Sequence, residues 1–277
     1  MSGAPSQPSR PTVYRGGGGR PLLLLHGIGM TWHAWEPVLS RLSATREVIA
    51  PTLPGHAGGP PAPPGPVTVS SLADAVESWL DEIDRPVVDV AGNSFGGWLA
   101  LELARRGRAR SVVALSPAGA WTATRDMHRL AISVRLGGSI AAHPLGRWSM
   151  GCALVRRAAL GRVVRRPERI DPVRARRLVD DMAGCAVLGE LIGSAVRTGP
   201  IVPLPEGGCP VTLAWAVNDR VIPWARYGRP MLGALPQARV VALADVGHVP
   251  MSDDPDLVAD TVLNGTAEAV SPRRLPA

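Results

Sequence analysis

Six residues, Gly92-Asn93-Ser94-Phe95-Gly96-Gly97, join two segments of opposite character. Before them, Pro86-Val87-Val88-Asp89-Val90-Ala91 reads as a short buried strand; after them, Trp98-Leu99-Ala100-Leu101-Glu102-Leu103-Ala104 reads as a helix. A serine at such a reversal sits on a sharp turn with strained dihedrals, which pushes its hydroxyl out above the sheet edge. Gly92 and Gly96, two residues either side of Ser94, remove the side chains that would keep strand and helix apart. In a chain with 31 glycines the bare spacing arises by chance. The strand before it and the helix after it set this copy apart.

The same alternation continues on both sides. Residues 12–14, ahead of the Gly16–Gly19 turn, read as the edge strand of a hairpin, and Pro21-Leu22-Leu23-Leu24-Leu25 as a buried strand running into the turn His26-Gly27-Ile28-Gly29. A short helix over 34–42 and a strand over 47–50 follow, then a Pro- and Gly-rich loop over 51–66. Ser70 reads as an N-cap, with Leu72, Val76, Trp79, Leu80 and Ile83 forming a helical stripe behind it. Strands are expected at 111–115, 211–215 and 239–243, with helices near 224–233 and from Pro255. Strand–helix alternation of this kind implies an α/β fold, a mostly parallel sheet flanked by helices. Between Trp121 and Pro205 the alternation stops and helical patterns dominate.

Charge singles out the same segment. All 30 cations are arginine, and residues 121–205 hold 14 of them against 6 acidic residues, a net of +8. The remainder has 16 against 17, a net of −1. Aromatic residues are few and no reading module is present, so no nucleic-acid partner is expected. The five arginines of 152–166 scatter around a helix instead of forming a membrane-facing side, which favours a solvated basic surface, with attraction of anionic substrates or lipids as the alternative. No run reaches the 18 apolar residues of a transmembrane span. Cys152, Cys185 and Cys209 lack metal-ligand spacing and read as reduced thiols of a cytoplasmic protein. No metal site and no cofactor-binding fingerprint is found.

A serine hydroxyl needs a base to take its proton and a carboxylate to orient that base. His248, in Asp245-Val246-Gly247-His248-Val249-Pro250, follows the last expected strand and would overhang the same sheet edge as Ser94. Asp219, in Val217-Asn218-Asp219-Arg220-Val221-Ile222-Pro223, follows the strand before it. Asp245 competes as the acid, since it lies three residues from His248, but it would have to fold back.

The order Ser94, Asp219, His248 resembles that of the α/β-hydrolase superfamily. The resemblance rests on His-Gly-Ile-Gly at 26–29, Pro-Gly-His at 54–56, Gly-Asn-Ser-Phe-Gly-Gly at 92–97, Asn-Asp-Arg-Val-Ile-Pro at 218–223 and Gly-His-Val-Pro at 247–250. It implies an α/β-hydrolase core over 12–120 and 206–270, a helical cap over 121–205, and tails at 1–11 (disordered) and 271–277. A first strand is missing relative to the family. The resemblance also implies an oxyanion hole from the backbone N–H groups of Ile28 and Phe95, with His26 and Gly27 as the supporting loop. His56 has no role in proton transfer, and His128 and His143 read as surface residues; Trp98 and Trp224 read as packing residues.

The chemistry so implied is hydrolysis of a carboxylic ester, lactone or thioester through an acyl-enzyme on Ser94. Relatives that open epoxides or remove halide carry Asp at that position. Carbon–carbon bond hydrolases share Gly-Asn-Ser but carry Trp where this chain has Val249. An acyltransferase or perhydrolase with the same three residues, and a non-catalytic binding protein of the same fold, stand as alternatives. The expected partner is a small acyl substrate, apolar or anionic; Trp121 and Trp148 suggest an apolar acyl pocket, and oligomeric state is not legible.

Overall fold

The computed structural model describes residues 12–121, 149–198 and 200–267. The two tails, Trp148, His128 and His143 lie outside the described residues. Seven strands form one sheet: β1 (Val13–Gly16), β2 (Arg20–Leu25), β3 (Arg46–Pro51), β4 (Val88–Asn93), β5 (Ala109–Leu115), β6 (Val211–Ala216) and β7 (Arg239–Leu243). Their order is β1-β3-β2-β4-β5-β6-β7, parallel throughout except for the antiparallel β1–β3 pair. The described helices are α1 (Glu36–Ser43), α2 (Val69–Glu82), α3 (Phe95–Arg105), α4 (Ala153–Leu160), α5 (Pro172–Ala183), α6 (Leu188–Thr198), α7 (Trp224–Ala234) and α8 (Pro255–Gly265). None of the described helices is long and apolar enough to cross a membrane.

The unbroken apolar runs of the inner strands reflect a sheet covered on both faces. Side chains alternate across a strand, so β2 feeds two cores. Leu23 and Leu25 pack with Leu72, Leu80, Leu99 and Met231 beneath α2, α3 and α7. Leu22 and Leu24 pack with Val38, Leu42, Val258 and Val262 beneath α1 and α8. Asp89, the one charge in the β4 run, is fully buried and neutralised by Arg46 and Arg20, and it accepts from Ser111 at 2.7 Å. Buried carboxylates persist where their lone pairs are this completely used.

Two local expectations are corrected. Residues 12–14 do not begin a hairpin: β1 skips β2 and pairs with β3, Val13 opposite Pro51 and Gly16 opposite Val48. The Gly16–Gly19 turn therefore reverses the chain without pairing its two arms, because β2 has β3 and β4 as neighbours. Ser70 is not the N-cap of α2. Thr68 is, in a capping box where its hydroxyl accepts from Ser71 N–H and the Ser71 side chain accepts from Thr68 N–H.

The described part of the Arg-rich segment lies against loops leaving the C-terminal ends of strands. Val163 C=O accepts from Val249 N–H at 2.8 Å, Gly55 C=O from Ala186 N–H at 3.0 Å, and Gly119 C=O from Ile201 N–H at 2.7 Å. Several of its arginines are occupied in holding it there or in holding it together. Arg165 and Arg166 pair with Asp245, and Arg177 with Glu36 at 2.7 Å. Arg156 is buried, and its guanidinium binds the carbonyls of Met150 at 2.7 Å and Gly151 at 3.0 Å.

Candidate active site

Ser94 caps α3 with φ 56° and ψ −116°, a conformation that costs a non-glycine residue on the order of 1–3 kcal/mol. Backbone bonds hold it: its carbonyl accepts from Trp98 at 3.1 Å and Ala118 at 3.0 Å, and its N–H donates to Leu115 at 3.0 Å. A side chain on Gly92 would run into the Gly96 carbonyl, and one on Gly96 into the carbonyls of Leu25 and His26. The turn exists only because both positions are bare.

Asn93, given no role of its own by the sequence motif that contains it, ties this turn to the histidine loop. Its amide donates to the carbonyls of Leu115 at 3.2 Å and His248 at 2.9 Å. The peptide of His248 is thus fastened one residue from Ser94. The signal in the sequence is an Asn placed between an apolar strand and the candidate nucleophile; its burial shows only in the fold.

Nδ1 of His248 lies 2.7 Å from Oδ2 of Asp219. Oδ1 of Asp219 accepts from Val221 N–H at 2.8 Å and Ile222 N–H at 2.7 Å, so both carboxylate oxygens are engaged. The Trp215 indole in turn donates to the Ile222 carbonyl at 2.8 Å, with Trp224 packed edge-on at 5.2 Å. Burial works against a charge on Asp219. The neighbouring His248 and these hydrogen bonds outweigh it, and the carboxyl is held below its usual range. With Nδ1–H given to the carboxylate, Nε2 of His248 is left as an acceptor. Asp245 is not the partner; it is more than half exposed and faces Arg165 and Arg166.

The loop after β2 completes the group. Met30 N–H bonds the Gly27 carbonyl at 3.1 Å, closing a turn whose second residue, Ile28, keeps its N–H out of that bond. A side chain on Gly27 would begin 3.5 Å from Ser94 Cβ, so the loop passes directly beside the serine. Phe95 supplies the first N–H of α3, which has no acceptor within the helix and sits at its positive end.

His26 is fully buried with both ring nitrogens used: Nδ1 donates to Gly27 C=O at 2.9 Å and Nε2 accepts from Leu53 N–H at 2.9 Å. That pattern suits a brace. Burial, with His56 stacked edge-on at 4.9 Å, holds it neutral well below its ordinary pKa. Burial likewise pushes His56 down to about 4. An imidazole neutral in the fold but basic when unfolded makes the unfolded chain take up more protons between its folded and its ordinary pKa, about 4 and 6.5 for His56. Stability should therefore be full above pH ~6.5 and fall as pH drops toward 4, by up to about 3 kcal/mol for His56 alone. Urea unfolding from pH 7 to pH 4.5 measures this. His56→Gln should flatten the slope, and an unchanged slope would clear His56 as its source.

Comparison with known proteins places relatives beside this geometry. A family model described as the alpha/beta hydrolase family matches residues 22–261. An epoxide hydrolase of Mycobacterium tuberculosis is 33% identical over 195 residues, spanning 69% of this chain and 91% of the relative. A pimeloyl-acyl-carrier-protein methyl ester esterase of Neisseria meningitidis is 28% identical over 236 residues, spanning 83% and 87%. Among solved structures, the enol-lactonase of Burkholderia xenovorans superposes with a TM-score of 0.71 at 22% identity, covering 91% of this chain and 94% of that one.

Proposed function

Since the chain belongs to the alpha/beta hydrolase family, we propose that it hydrolyses a carboxylic ester, lactone or thioester through an acyl-enzyme on Ser94. The observation that carries this reading is the 2.7 Å His248–Asp219 bond, with Asp219 fixed by two backbone donors. His248 Nε2 takes the Ser94 proton as Oγ attacks the acyl carbon. The N–H groups of Ile28 and Phe95 receive the oxyanion, one such donor being worth about 3–4 kcal/mol in the transition state. The leaving alkoxide collects the proton from His248, and a water deprotonated by the same nitrogen then releases the acid. Asp219 keeps the imidazole in the required tautomer and offsets its charge while it carries the proton.

The relative named an epoxide hydrolase raises a second reading, which the nucleophile disfavours. An aspartate that opens an epoxide leaves an ester, which water can cleave. A serine doing so leaves an ether, and turnover stops. Val249 does not favour carbon–carbon bond hydrolysis either. We assign residues 121–205 as a cap over the site, whose apolar residues and arginines would select an apolar or anionic acyl group.

The test uses p-nitrophenyl butyrate and styrene oxide as competing substrates. Release of p-nitrophenol by the wild type is expected, with a butyryl mass on the Ser94 peptide after rapid acid quench and neither in His248→Ala. Turnover of styrene oxide without any acyl adduct would sink the acyl-enzyme reading.

A further inference from the structure

Thr31 stands at the N-cap of the short 3-10 turn Trp32–Trp35, with extended φ −135° and ψ 179°, yet its side chain makes no cap bond. Threonine in that place and conformation ordinarily satisfies a free N–H of the following turn. Its hydroxyl donates instead to Oδ2 of Asp181 at 2.7 Å, 150 residues along the chain. Asp181 gives something up as well. It is 3% exposed and lies in the last turn of α5, where the helix carbonyls disfavour a carboxylate. Both partners forgo local stabilisation where they make this long-range contact, and such conflicts concentrate where function requires them.

The neighbouring contacts converge on the same loop. The Met182 sulfur occupies the space beside Gly29, which sits at φ +71° and has no room for a side chain. The Cys185 side chain lies next to the Gly29 backbone. Gly29 directly follows Ile28. On its other side the loop is bounded by the protein core, Gly27 lying beside Ser94 and the Asn93 carbonyl. The core fixes one flank, and residues 181–185 fix the other.

We propose that the 181–185 corner of the inserted segment clamps the loop carrying Ile28, with Asp181 and Thr31 as positioning residues for the oxyanion donor. The inference rests on Ile28 being that donor. It makes the inserted segment part of the catalytic geometry as well as a cover. A loosened clamp lets the Ile28 N–H swing away from the developing oxyanion while the pocket that binds ground-state substrate is unaltered. The penalty should then fall on the tetrahedral state.

Thr31→Val keeps the shape and removes the donor. Its kcat toward p-nitrophenyl butyrate is expected to fall by about tenfold with KM within about twofold. Inhibition by butylboronic acid, whose tetrahedral serine adduct places an oxygen in the same hole, should weaken by the same factor. Thr31→Ser should restore both. Asp181→Asn, which keeps an acceptor of lower charge, should shift kcat and the inhibition constant together by a smaller factor. A lower melting temperature in these variants with kcat and boronate inhibition unchanged would reduce the contact to a structural one and overturn the proposal. Labelling of Ser94 by a fluorophosphonate in the wild type separates the two readings. Absence of the label overturns the acyl-enzyme on which the clamp rests. A label present with Thr31→Val kinetics unchanged overturns the clamp alone.

Discussion

Replacing Ser94 with alanine should lower kcat toward p-nitrophenyl butyrate by about a millionfold while leaving the protein folded. The size follows from the chemistry: without Oγ no acyl-enzyme forms, and His248 has no proton to move. What survives is water attacking an acyl group held near the oxyanion donors, a residual acceleration of about 10³–10⁴ over solution. The fold should tolerate the change because the contacts that hold the turn are made by the Ser94 backbone, to Leu115, Trp98 and Ala118. Alanine at φ 56° is no worse placed than serine. The same bond pattern separates this variant from Gly96→Ala, which would drive a methyl group into the carbonyls of Leu25 and His26 and lose the turn itself. A Ser94→Ala protein that keeps wild-type turnover, with its melting temperature unmoved, would remove Ser94 from the chemistry.

The strand–turn–helix around Ser94 is legible in sequence because its constraint is local. Gly92 and Gly96 must be bare, and the apolar runs on either side have only one way to bury. The parallel sheet is legible for a related reason: Leu22 to Leu25 can be apolar at four successive positions only if both faces are covered. Partner choice is another matter. Whether β1 pairs with β2 or β3 depends on which edge is open once the other strands have assembled, and no residue in 13–16 encodes that. Thr68 and Ser70 both carry a capping hydroxyl. The choice turned on Ser71 being three residues after Thr68 and able to bond back, a reciprocal signal that reading Ser70 alone misses. The Asn93–His248 and Thr31–Asp181 contacts join residues 155 and 150 positions apart. Their side chains carry no periodicity and become meaningful only when the loops are brought together.

Asp219→Asn should cost about 10⁴ in kcat with little change in KM, for a reason that lies in one proton. The carboxylate holds Nδ1–H of His248 at 2.7 Å, which leaves Nε2 with the lone pair that serine needs. In the variant, the Asn carbonyl oxygen can replace Oδ1 on the N–H groups of Val221 and Ile222. The amide nitrogen is then turned toward His248 and offers a proton where the wild type accepts one. The imidazole answers by placing its own proton on Nε2, the tautomer that cannot act as base. The packing would be preserved and the function lost, so stability near neutral pH should change far less than activity. Asp219 also sets an acid limit. Its carboxyl is held below the ordinary range, so the stability it contributes is present above pH ~4 and lost as pH falls further, a loss Asp219→Asn should abolish. Asp245→Asn is the control, because Asp245 faces Arg165 and Arg166 at the surface. Its kcat should stay within about twofold of wild type, as expected for partly exposed ion pairs. A collapse of activity in Asp245→Asn, with Asp219→Asn near wild type, would transfer the role of the acid to Asp245.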